Sequence, residues 1–496
     1  MPDFSQINPS AKKTGLVSFD EVKAHAGRDS CWVVIGDKVW DVTSLLPNHP
    51  GGTNAILEQA GTDVTLAPGL PTNSFVHRRL FDRLHSHDVL DLLPPGSLVG
   101  YVDQDTLPKI VHDDPLTEEE LRILKARESL PPPSAALNLK DIERFAQQVL
   151  TETAWAYYSS AGDDEYTLHE NSAAFKRYWF RPRVLNKVSR VSTSTTLFGS
   201  ETSLPIFIAP AALARLGHPG GEVNMVRVAG EEGIVQGISN NASCSLDEIV
   251  SARRPGQPLV FQLYMNRERA ASEALVRRVE REGFNAIVLT VDAAVPGKRE
   301  RDQRAKGNYS GIVPNGSSPP AGKGVAHAIS GYQDPDVDWA DVKWLQSITS
   351  LPLILKGIQC VEDAELAFEN GVQGIVLSNH GGRELDFAPA PLTVLHELQH
   401  KRPDLVRERD VYIDGGVTRG TDVLKALCLG AKGVGLGRAF LYGNGVWGED
   451  GVRRVIEIMR GEIETGMQLM GVTSIKDLKP ELIRYVDRDL PPIASR

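Results

Sequence analysis

The chain carries 496 residues, with 64 acidic and 54 basic side chains and a formal net charge of −10. That length suits two or three domains better than a single core. The acidic balance argues against nucleic acid, which needs a basic face, and no apolar run reaches the ~18 residues of a membrane-spanning helix.

The amino terminus lacks the apolar core of a secretory signal. It also lacks the acid-poor, Arg-rich look of a mitochondrial presequence, because Asp3, Asp20 and Glu21 interrupt it. The residues therefore name no compartment, and cytoplasmic is the default. Residues 15–103 form a first unit, in which 32–42 reads as two short strands about a Gly36-Asp37-Lys38 turn and His49-Pro50-Gly51-Gly52 follows. Cys31, Cys244, Cys360 and Cys428 lie far apart with no CxxC pair, so they read as reduced thiols and not as a metal or disulfide framework. Residues 104–137 read as a connector. Asp113-Asp114, a charged helical piece near 117–128 and Pro131-Pro132-Pro133 suit a semi-rigid, solvated hinge.

Residues 138–496 repeat one pattern. Short, β-rich apolar runs lie at 205–209, 234–238, 259–264, 286–291, 353–356, 374–377, 411–413 and 433–436. Most precede an amphipathic helical stretch, such as 272–281, 361–369 or 421–429. Eight strands alternating with helices predict an α/β fold, a parallel (β/α)8 barrel, and the count of eight favours closure over a doubly wound open sheet. The fourth and fifth runs are separated by a long connection rich in Gly, Pro, Ser and Asn, so about 297–338 is expected to be a mobile loop over the active site.

In such a barrel the chemistry comes from the carboxyl ends of the strands. Asp414-Gly415-Gly416 and Gly437-Arg438 end the seventh and eighth strands, and fit a phosphate site of backbone N–H groups plus a guanidinium. Lys356 projects a fixed positive charge toward a reducible ring. His380, in Ser378-Asn379-His380-Gly381-Gly382-Arg383, is the candidate base, with Asp292 orienting it. Arg383 suits a bidentate grip on a substrate carboxylate.

With these motifs in order, residues 138–496 resemble the FMN-dependent L-2-hydroxy-acid dehydrogenase and oxidase family. The matching segments are Tyr157-Tyr158-Ser159-Ser160, Ile208-Ala209-Pro210-Ala211-Ala212, Phe261-Gln262-Leu263-Tyr264, Leu289-Thr290-Val291-Asp292, Leu355-Lys356-Gly357, 378–386 and Asp414-Gly415-Gly416. The resemblance implies that Tyr157 helps bind the substrate carboxylate and Tyr264 faces its hydroxyl. It further implies that Pro210, Ala211, Ala212, Ser239, Gln262 and Thr290 contact the flavin, and that Arg299 is an active-site arginine near the loop. Thr418 stands where many relatives carry an arginine, so phosphate binding is expected to lean on Arg438 and backbone amides. Asn241 stands where relatives carry a leucine or aromatic residue beside the substrate side chain, which points to a larger or more polar acid than lactate.

The first unit resembles cytochrome b5 through Val17-Ser18-Phe19-Asp20-Glu21-Val22, the 32–42 hairpin, His49-Pro50-Gly51-Gly52 and Ala60-Gly61-Thr62-Asp63-Val64-Thr65. The resemblance implies haem b with His49 and His85 as axial ligands, the latter in Phe81-Asp82-Arg83-Leu84-His85-Ser86. His49 and His85 stand farther apart than usual in that family, so His77 and His87 remain alternatives. Joined, the two modules imply oxidation of a small, lactate-like L-2-hydroxy acid by FMN, with electrons leaving singly through the haem to cytochrome c or a similar acceptor. An oxidase that returns electrons to O2 is the alternative. The resemblance also implies a homotetramer and the mitochondrial intermembrane space.

Overall fold

The computed structural model describes residues 15–46, 56–57, 60–64, 90, 93–107, 117–307, 325 and 329–486. His49, His77, His85 and His87 lie outside them, as do 308–324 and 326–328 of the long loop. The chain divides into two units, residues 1–116 and 117–496.

In the first unit, strands Leu16–Val17, Leu98–Val102, Lys38–Asp41 and Trp32–Ile35 form one sheet in that order. Gly36, at φ 70°, lets the hairpin turn between Ile35 and Lys38. Alternation along these strands supplies two cores, one on each face. Val34, Val39 and Val102 pack with Val17, Phe19 and Val22, while Val33 and Ile35 pack with Val42, Ile56, Ala60 and Val64.

In the second unit, strands Ile206–Ile208, Val235–Ser239, Leu259–Leu263, Ala286–Thr290, Leu353–Ile358, Gly374–Leu377, Asp410–Asp414 and Gly433–Leu436 each pair in parallel with the next. The last returns to the first. Every expected run is a strand, and the closed ring excludes the open sheet. Inward positions recur every second residue. Phe207, Val235, Val260, Val288, Ile354, Val376 and Tyr412 form an apolar layer low in the barrel. A hairpin of Thr195–Leu197 and Ser200–Thr202 plugs that end with Phe198, which stacks on Tyr412 at 4.2 Å and meets Phe207 edge-on at 5.1 Å.

Of the expected connector 104–137, residues 108–116 lie outside the described residues, while 117–137 falls in the barrel unit. Helix Glu118–Glu128 belongs to the barrel unit, with Ile123 buried. Charges that read as solvated in the sequence have structural partners instead. Arg122 donates to the carbonyls of Gln148 and Leu150 and Arg127 to that of Val149, satisfying the open end of helix Leu139–Val149, and Arg127 also reaches the Gly445 carbonyl. Among the described residues no helix is long and apolar enough to cross a membrane.

Candidate active site

His380 opens a tight turn just past the sixth barrel strand, with φ of 59°, 67° and 79° at His380, Gly381 and Gly382. A left-handed histidine costs roughly 1 kcal/mol or more and persists only where its surroundings hold it. Here Asn379 does so. Its Oδ1 accepts from Gly382 N at 3.0 Å, and its amide exchanges hydrogen bonds with Asn171 at 2.8 and 2.7 Å. Gly382 has to be glycine, because a Cβ there would lie 2.7 Å from Leu168 N.

The turn aims His380 Nδ1 at Asp292 Oδ1, 2.8 Å away. The Asp292 side chain is wholly buried. Burial works against its charge, but Lys356 and His380 prevail and hold the carboxyl down to about 2. An ionised Asp292 makes Nδ1 the donor and leaves Nε2 bare as a proton acceptor. Nε2 faces the Tyr264 hydroxyl at 3.4 Å. Burial, then the charges of Asp292 and Glu384, keep that phenol well above its ordinary value, so it remains a donor.

Lys356 Nζ lies 3.6 Å from Asp292 and 3.9 Å from Asp414. Burial opposes its charge, but the two carboxylates raise it above the ordinary lysine value. The arginines divide differently. Arg299 Nη2 meets Glu384 Oε1 at 2.5 Å, a buried and neutralised pair, while its Nε holds the Arg383 carbonyl at 3.0 Å. Arg383 itself lies 4.8 Å over the Tyr157 ring and donates to the Tyr158 carbonyl at 3.2 Å. No carboxylate bridges it among the described residues. Burial, with Arg299 close by, pushes it down to about 10. A cation without a counter-charge beside a base is a receptor for an anion.

His380, Tyr264, Lys356, Arg299, Arg383 and Tyr157 line a cavity of about 840 Å³ together with Ala211, Ala212 and Gly437. Pro210 also lines it and forces glycine at 237, where a Cβ would lie 2.7 Å from Pro210 Cδ. Gln262 Oε1 accepts from Ser239 Oγ at 3.1 Å and from Asn240 N at 3.2 Å. Its Nε2 and the Thr290 hydroxyl are buried without a partner among the described residues. Gly415 and Gly416 turn with φ of 92° and 75°, and a Cβ on Gly437 would meet nothing within 4 Å. Arg438, expected to anchor a phosphate, donates from Nε, Nη1 and Nη2 to the carbonyls of Tyr158, Gly381 and Ser160, at 3.0, 2.9 and 3.2 Å. It ties the 158–160 segment to the catalytic turn and keeps one hydrogen on each terminal nitrogen. Thr418 is held by Asp422, to which its N and Oγ1 donate at 3.0 and 3.2 Å.

Several supports escaped the sequence reading. Glu384 neutralises Arg299, and its only signal was adjacency to Arg383. Glu222, 1 % exposed, accepts from Ala214 N, Ser243 N, Ser243 Oγ and Cys244 N, joining the loops after the first two strands. A glutamate inside a helix gives no sequence hint of that work.

The model of the FMN-dependent dehydrogenases matches residues 146–485. The chain belongs to the FMN-dependent dehydrogenase family. A second model, that of the cytochrome b5-like heme/steroid binding domain, matches residues 18–103 of this dehydrogenase. It is 43% identical to L-lactate dehydrogenase (cytochrome) of Wickerhamomyces anomalus over 484 residues, 96% of this chain and 81% of that protein. Identity to the protein of that name in Saccharomyces cerevisiae is 42%, over 94% of this chain and 79% of the other. The recombinant flavin-binding domain of baker's yeast flavocytochrome b2 matches with a TM-score of 0.68 and 44% identity, covering 74% of this chain and 92% of that one.

The barrel fits the flavin these matches imply. The unpartnered Gln262 Nε2 and Thr290 hydroxyl suit ring heteroatoms, and the open space at Gly437 heads helix Arg438–Trp447, whose first N–H groups suit a phosphate. The cofactors of the dehydrogenase are FMN in the barrel and haem b in the b5-like unit. In the latter, one sheet face offers the apolar wall of Val33, Ile35 and Val42.

Proposed function

We propose that this dehydrogenase oxidises a lactate-like L-2-hydroxy acid to the 2-keto acid, with its electrons passing through haem b to cytochrome c or a similar one-electron acceptor. The observation that carries the reading is a proton-accepting His380, backed by Asp292, in one cavity with an uncompensated Arg383. Bound FMN accepts two electrons and releases them one at a time.

Arg383 and Tyr157 hold the substrate carboxylate, and this fixes the neighbouring carbon against the ring. The Tyr264 hydroxyl positions the substrate oxygen near His380 Nε2, which takes one of the two hydrogens lost as a proton, while the second hydrogen and the electron pair would be taken up by the flavin as the C–O bond becomes a carbonyl. Asp292 stabilises the resulting imidazolium, as an anion hydrogen-bonded to Nδ1 must. Lys356 would hold the flavin and supply a fixed positive charge beside it. Arg299, paired with Glu384, holds the Arg383 carbonyl in place. An acceptor of the cytochrome c kind would place the enzyme in the mitochondrial intermembrane space, and a homotetramer is the assembly in keeping with the family.

Anaerobic stopped-flow with L-lactate tests the reading. Flavin absorbance should bleach first and the haem bands should then shift to the reduced form. Bleaching without haem reduction, coupled in air to O2 uptake, favours an oxidase, and no bleaching with any 2-hydroxy acid defeats the proposal.

A further inference from the structure

The returning end of the long loop is stitched to the chain just past the third barrel strand. Asp334 N donates to Met265 O at 2.9 Å, Arg267 N to Tyr332 O at 3.2 Å, and Asn266 and Gln333 form an antiparallel bridge. Arg269 adds ion pairs to Asp334 and Asp341 at 2.6 and 2.8 Å. The stitching sets residues 332–334 beside Tyr264, whose hydroxyl faces His380.

On the neighbouring second strand end, Asn241 Oδ1 accepts from the Tyr332 hydroxyl at 2.8 Å. The Gln333 side chain neighbours the same phenol. A phenol has one hydrogen, and Asn241 Oδ1 takes it. That leaves both hydrogens of Asn241 Nδ2 without a partner among the described residues. Asn241 and Gln333 line the cavity that contains His380 and Arg383, and Gln333 is only 8% exposed. An alkyl group pressed against these amides would strand their polar atoms.

We propose that Asn241 and Gln333 form a polar subsite for the substrate side chain, with Tyr332 as its positioning residue, and that the preferred substrates are L-2-hydroxy acids carrying an acceptor oxygen on that side chain. This rests on the proposed function, in which Arg383 takes the carboxylate and His380 the proton.

The test uses the holoenzyme and two acids of equal size, L-glycerate with a terminal hydroxyl and L-2-hydroxybutanoate with a methyl group in its place, beside L-lactate and L-malate. The kcat/KM for L-glycerate or L-malate should exceed that for L-2-hydroxybutanoate by about tenfold or more. Asn241→Leu should bring the ratio to about one or below, and Tyr332→Phe should lower it severalfold, mainly through KM. Both acids are read on one preparation, so lost flavin or fold cancels from the ratio. If L-lactate reduces the flavin but L-2-hydroxybutanoate equals or beats both polar acids, the subsite is overturned and the dehydrogenase reading stands. If no acid reduces the flavin, both fall. If L-malate alone exceeds L-2-hydroxybutanoate, the subsite is supported with a carboxylate as the acceptor.

Discussion

Two layers of the same barrel strands behave in opposite ways. Val260, Val288, Ile354 and Tyr412 point inward low in the barrel and pack against one another and Phe198. Two residues further along the same strands, roughly 7 Å, the inward positions are Gln262, Thr290, Lys356 and Asp414, and all four are buried. The lower layer needs nothing else, since every apolar surface has a neighbour. The upper layer is incomplete by itself: among the described residues Gln262 and Thr290 keep unpartnered atoms, and no carboxylate forms an ion pair with Arg383. Removing charges from water costs several kcal/mol per ion, so a protein keeps such a layer for what it binds. Stability resides low in the strands and chemistry at their carboxyl ends.

The largest test of that division is His380→Gln. It should lower kcat by about 10⁴-fold, the upper range for losing a general base, while FMN remains bound and thermal stability barely moves. Retained flavin reduction by L-lactate would remove His380 from the chemistry. Arg383→Met should cut kcat/KM by about 10²- to 10³-fold through the lost charge-assisted contact. The ligand-free protein should melt at a higher temperature, because an unneutralised cation has gone. The lower layer should give the reverse pattern. Phe198→Ala leaves a hole beneath Tyr412 and should cost the barrel unit about 3–4 kcal/mol in urea unfolding, with kcat for L-lactate within about twofold of the parent.

The lower layer was the easier part to read. Eight β-rich runs at regular spacing specify eight strands, because burial on both faces demands apolar residues throughout. The strand tips were legible as a set, since polar or glycine tips after apolar bodies have little packing value. What stayed hidden was pairing. Nothing in the sequence couples Arg299 to Glu384 and leaves Arg383 alone, and no local pattern sends Arg438 to three backbone carbonyls or Tyr332 to Asn241. Such contacts join residues tens to hundreds of positions apart, so tertiary geometry alone decides them. The connector misled for the same reason. A charged helix with a capping box looks solvated until its arginines are seen on the carbonyls of Gln148, Val149 and Leu150.

The smallest expected effect separates the layers by pH. Asp292 is held down to about 2, below the ordinary carboxylate value of ~3.9. Folding therefore favours its ionised form, and the resulting stability is present above pH ~4 and lost as pH falls from about 4 toward 2. Its size is at most about 2–3 kcal/mol, shared with Lys356, which loses one of its two carboxylate partners as Asp292 is protonated. Thermal midpoints of the barrel unit at pH 5 and pH 3 should therefore drop less in Asp292→Asn than in the parent. Phe198→Ala, which removes no titrating group, should keep the parent's full drop from a lower starting point. Equal drops in the parent and Asp292→Asn would show that the upper layer's charge is anchored elsewhere. A reduced drop in Phe198→Ala would show that the two layers are energetically coupled through the strands they share.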